Sequence, residues 1–176
     1  LTVTRTDLRM LRQSPDFWIP MVLLASIFFV VAPLVLLSAV TVAESSPTIQ
    51  SIGSALEVLP ESAQAGIKGT APVDRMSYAL AVYLFAPLAV VVPMTISTAI
   101  GANTIVGERE KGTGEFLAHS PASEREIYLG KLLASFLPGY ATTLVGFSVY
   151  SVLVNVLVGP KVGGWFFPTR EWWWLM

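Results

Sequence analysis

The chain has 176 residues, of which 53% are hydrophobic and only 13% charged, and its net charge is −1. An average soluble domain is nearer about 25% charged, so composition points to the membrane class, and the near-neutral charge argues against a nucleic-acid partner. There is no cysteine, which removes disulfides and thiolate chemistry, and the one histidine, His119, cannot by itself make a zinc site of the usual kind.

Residues 1–16 form a basic segment in which Arg5, Arg9 and Arg12 share one helical face by i, i+4, i+7 spacing, with Leu8 and Leu11 beside it. Two readings stand level here. The segment is either an interfacial helix with its arginines among lipid headgroups, or a short basic leader that only orients the first span.

No charge occurs from Phe17 to Ala43, from Met76 to Gly107, or from Leu132 to Pro160. Each gap exceeds the roughly 20 apolar residues that cross a bilayer as a helix. A helix satisfies its own backbone hydrogen bonds in lipid. The expected fold is therefore all-α, a polytopic transmembrane bundle with helices at 17–43, 76–106 and 132–160. The first apolar run is too long for a signal peptide and reads as a retained span.

The segment 44–75 separates the first two spans and is punctuated by Pro47, Pro60 and Pro72. Within it Ile49, Ile52, Leu56 and Leu59 repeat at helical spacing. A short amphipathic helix is expected, packed on the spans or the lipid interface in preference to acting as a lid.

The spans hold no Asp, Glu, Lys, Arg or His, which speaks against a proton-coupled carrier. Pro33, Pro87, Pro93 and Pro138 kink or interrupt helices, and Pro138-Gly139 is the expected hinge. Ser97 and Gly101 form a small-xxx-small pair suited to close helix packing. Ser148, Ser151 and Asn155 share one face of the third span and read as interhelical glue before they read as a translocation path.

Lysine and arginine mark cytoplasmic loops. They are denser in the N-terminal segment and in 107–131 (Arg109, Lys111, Arg125, Lys131) than in 44–75, which carries only Lys68 and Arg75. The N-terminus and 107–131 are thus expected in the cytoplasm and 44–75 outside. The segment 161–176, with Trp165, Phe166, Phe167, Trp172, Trp173 and Trp174, is expected near the outer interface, with the start of a possible fourth span at its end.

Residues 107–131 read GEREKGTGEFLAHSPASEREIYLGK. Glu108 with Lys111, and Lys111 with Glu115, are spaced to meet on a helix surface. Gly112 and Gly114 keep any helix short, while Phe116 and Leu117 give the loop an apolar tip. Ser120-Pro121 marks a turn. Ser123 and Glu126 have capping-box spacing, so a helix should start near Ser123 and run into the third span. On these residues alone, a docking element and an idle solvated connector are equally good readings. Gly107 to Thr113 comes close to a nucleotide-binding loop. Thr113 stands where that loop needs lysine, and no strand precedes it, so this chain is not expected to bind ATP.

The ordered residues Gly107, Glu108, Arg109, Glu110, Gly112, Thr113, Glu115 and Leu117, then Pro121, Ser123, Glu126, Ile127, Gly130 and Lys131, resemble the ABC-2 type permeases. These are the membrane subunits of one class of ATP-binding cassette transporter. Gly114 departs from the family pattern, where an apolar residue is usual, and so does His119, where a small one is common. The resemblance implies an N-terminal half of a longer permease. In that role Glu108, Arg109, Glu110, Lys111, Gly112, Thr113, Glu115, Phe116 and Leu117 form a coupling helix on a cytosolic ATPase subunit, and Pro121, Ser123, Glu126, Gly130 and Lys131 start the following helix. It further implies ATP and magnesium on that partner rather than on this chain, a second permease copy or paralogue, a place in the cell membrane, and export as the expected direction. The chain would then be a transport subunit, not an enzyme. The alternative is a non-transporting membrane anchor or assembly protein whose hairpin binds another protein.

Overall fold

The computed structural model describes residues 15–58, 60–88, 90–110, 123–169 and 172. No strand occurs among them. Three stretches are long and apolar enough to cross a membrane, Trp18–Val42, Pro72–Ala102 and Arg125–Leu157. The all-α, three-span expectation holds. The basic face of Arg5, Arg9 and Arg12 lies outside the described residues, and so, apart from Trp172, does the expected start of a fourth span at 172–176.

The first span consists of α1 (Pro15–Ser26), a π-helical turn (Ile27–Val31) and α2 (Ala32–Val42). A proline ring presses on the carbonyl four residues earlier and supplies no N–H. For Pro33 that carbonyl belongs to Phe29, inside the π turn, where wider winding makes room.

Ser46 opens α3 (Pro47–Ala55), its Oγ accepting the Ile49 N–H at 3.3 Å, with Pro47 as the first helical residue. A short helix, α4 (Glu61–Gln64), follows. Of the apolar face expected on α3, Ile49 is buried against Val40 and Val73, with Ala43, Ala71, Met76 and Leu80 around them. Ile52 is left exposed, and Leu59 lies outside the described residues. Through Ile49 the helix rests on the ends of the first two spans.

The second span begins with α5 (Pro72–Ala79), a turn ahead of the uncharged stretch. Pro72 sits in its first turn, and the Asp74 carboxylate accepts the Ala71 N–H at 3.4 Å. Polar start signals place the helix end, whereas the charge gap marks only where apolar surroundings begin. A second π-helical stretch, Leu80–Phe85, follows, then α6 (Ala86–Leu88) and α7 (Val91–Glu110). Pro87 repeats the arrangement at Pro33, since the carbonyl four residues before it belongs to Tyr83, within the π stretch.

The third span lies in α8 (Glu124–Leu157), whose 34 residues extend about 51 Å at 1.5 Å per residue. That exceeds the about 30 Å of hydrocarbon, so its first turns, which carry all its charges, project beyond the bilayer core. The helix is continuous through Pro138-Gly139. A further short helix, α9 (Gly159–Val162), ends on Gly163 at φ 95°.

The chain forms two compact units, one from Leu1–Ala25 and Val91–Leu144, the other from Ser26–Val90 and Val145–Met176. In the first, α7 and α8 meet along small residues. A Cβ on Gly139 would stand 2.6 Å from Ser97 Oγ and 3.2 Å from the Pro93 carbonyl oxygen, and one on Gly101 would lie 3.8 Å from Ser135 Cβ. Positions 97 and 101 face 139 and 135, as antiparallel helices require. The core of the second unit includes Phe29, Leu37, Phe147, Tyr150, Val154 and Phe167, all at most 2% exposed.

Candidate functional site

The loop with the family-like sequence is framed by two helix ends. Its first residues, Gly107 to Glu110, form the last turn of α7. Lys111, Gly112, Thr113, Glu115, Phe116, Leu117 and Pro121 lie outside the described residues.

The far side of the loop is built as its spacing predicts. Ser123 precedes α8, and its backbone N–H and its hydroxyl both donate to Glu126 Oε2 at 2.9 Å. In return the Glu126 N–H donates to Ser123 Oγ at 3.4 Å, while the Ile127 N–H reaches the Ser123 carbonyl at 3.1 Å. This reciprocal box satisfies donors that a helix start otherwise leaves bare. The Ser123 backbone N–H, and then its hydroxyl, hold the Glu126 carboxyl below its ordinary pKa. Glu126 precedes the uncharged stretch and is fully exposed, so it stays ionised at neutral pH. Gly130 is buried one turn further along, and Lys131 is half-buried.

Farther along α7 and α8 the Ser97–Gly139 and Gly101–Ser135 approaches hold the two arms together. The Ser135 hydroxyl donates to the Leu132 carbonyl of its own helix at 2.9 Å, so it needs no partner across the seam. Around residues 111–122 the two helices thus have a closely packed contact and a capped return.

Polar residues farther along α8 do something else. Ser151 and Asn155 are 4% and 7% exposed. The Ser151 hydroxyl donates to the Phe147 carbonyl at 2.8 Å. Asn155 Oδ1 accepts the Phe166 N–H at 2.8 Å and the Phe167 N–H at 3.2 Å. Its Nδ2 donates to the carbonyls of Ser151 and Phe167. All four hydrogen-bonding positions of the amide are filled. Asn155 is therefore a clasp for the segment that follows the third span.

In that segment Phe166 and Phe167 are 6% and 1% exposed and pack in the core. Phe167 meets Phe147, Tyr150 and Trp172 with ring centroids 5.4, 5.7 and 5.8 Å apart, and Phe166 lies 5.2 Å from Tyr78. Trp165 is 69% exposed. Among these contacts only the polarity of Asn155 within an apolar helix could have signalled the clasp in advance.

A family model described as ABC-2 family transporter protein matches residues 1–170. No curated protein and no solved structure matches the chain.

Proposed function

The chain belongs to the ABC-2 family of transporter proteins, and from that membership we propose that it couples ATP hydrolysis on a separate cytosolic ATPase to export across the cell membrane. As a membrane permease of an ABC transporter, it would leave ATP and magnesium to the partner. A second copy or a paralogue would complete the permease pair.

The observation that carries this reading is the ordered stretch from Gly107 to Lys131, set between the last turn of α7 and the capped start of α8. In the proposal the N-terminus and this hairpin face the cytoplasm. Glu108, Arg109, Glu110 and Lys111 make polar contacts with the ATPase, and Phe116 and Leu117 fill an apolar depression on it. Closure of the ATPase dimer then pushes on the hairpin, whose packed arms pass the displacement to the second and third spans.

Charge reversal tests this. In the complete permease, Glu108→Lys with Glu110→Lys should weaken ATPase association by about tenfold or more, because unpairing interfacial charges costs a few kcal/mol. ATP-dependent transport should fall with it. Wild-type co-purification and transport in the double variant would reject the docking role. An unaltered permease that recruits no ATPase would favour the anchor reading instead.

A further inference from the structure

Two π-helical stretches are seated against one face of α8. The first, Ile27–Val31, places the Phe29 ring where a Cβ on Gly146 would overlap its atoms, so only glycine leaves room for it. The second, Leu80–Phe85, contains Ala81, whose carbonyl accepts the Tyr150 hydroxyl. Gly146 and Tyr150 are four residues apart and so share a face of α8. Phe29, Ala81 and Tyr150 are each at most 2% exposed.

A π turn holds one residue more than the α turn it replaces. Moving it along a helix by a turn re-faces the intervening residues by about 100° each while leaving both flanks in register. Such a shift is ordinarily opposed by the regular hydrogen-bond ladder. Here Pro33 and Pro87 have already removed one ladder donor from each helix. The Tyr150 hydroxyl donates to the Ala81 carbonyl inside the second stretch and holds it across the core. In the observed winding both stretches are held by contacts across the core, so a change of winding has to exchange those contacts.

We propose that these two π stretches are the moving parts of the transport cycle. Each shifts its extra residue along its span, sliding Phe29 past Gly146 and releasing Ala81 from Tyr150. The proposal rests on the reading of the chain as an ATP-driven permease and says where such a permease would deform.

The chain has no cysteine of its own, so once any cysteine elsewhere in the complete permease is replaced, spin labels can be placed at Leu23→Cys and Val31→Cys. Both positions are exposed, one on the flank before the first π turn and the other inside it, so a shift of the extra residue turns one against the other. The complete permease is studied in liposomes with its ATPase, with and without ATP plus vanadate. The expected result is a nucleotide-dependent change of several ångströms between the labels. Deleting Ile27, itself exposed, removes the extra residue and should abolish that change while assembly and basal ATP hydrolysis persist. Pro33→Ala restores a ladder donor at unchanged chain length and should reduce the change at least twofold, which keeps the test decisive if the deletion does not assemble. An unchanged distance in a complex that hydrolyses ATP, or a full change in the assembled variants, overturns the proposal. Failure of the unaltered permease to bind any ATPase would instead overturn the permease reading, and this proposal with it.

Discussion

Asn155 is a polar side chain deep in an apolar helix, and each of its hydrogen-bonding positions is filled by backbone. Asn155→Ala would leave the Phe166 and Phe167 N–H groups without an acceptor among buried aromatic rings. Each such buried orphan costs about 1–3 kcal/mol. A clear fall in the unfolding temperature of the purified permease is therefore expected. Ser151→Ala should change that temperature far less, because the Ser151 hydroxyl only adds a bond to a carbonyl of its own helix. Equal losses in the two variants would contradict the clasp. The shared face of Ser148, Ser151 and Asn155 is legible as spacing along α8. The partner of Asn155 is not, because it lies in a segment that returns to the helix more than a turn after it has ended.

At the level of elements, the capped start of α8 is local chemistry, and Ser-x-x-Glu spacing foretells it. The small residues at Ser97 and Gly101 likewise foretell a close helix contact. Only the structure shows that Gly139 and Ser135 are their counterparts, and that Gly139 serves as a seat within an unbroken helix where a hinge was expected. Gly139→Ala should destabilise the hairpin by about 1–3 kcal/mol through overpacking. Adding Ser97→Ala removes the oxygen 2.6 Å from the new methyl group and should recover part of that loss. Strict additivity of the two substitutions in thermal unfolding would mean that the helices do not meet there. The π turns show the same division. Pro33 and Pro87 announce a disturbance in each span, but its widened form depends on what the displaced groups touch across the core.

For the whole molecule, the membrane-spanning architecture and the family are readable from charge gaps and from the ordered loop residues. The proposed orientation rests on a count of lysine and arginine and has its own test. With no native cysteine in the chain, Glu61→Cys should react with a membrane-impermeant thiol reagent on intact cells, and Thr113→Cys only after permeabilisation. The opposite pattern would invert the topology. The sequence by itself determined how many stretches can span, where α8 is capped and which family the chain joins. Those properties depend on hydropathy, hydrogen bonds within a turn and residue order, all local along the chain. Tertiary structure alone decided that Phe29 sits on Gly146, that Tyr150 holds Ala81 and that Asn155 clasps Phe166 and Phe167. Each of these needs two segments remote in sequence to approach within contact distance, and no local pattern encodes that distance.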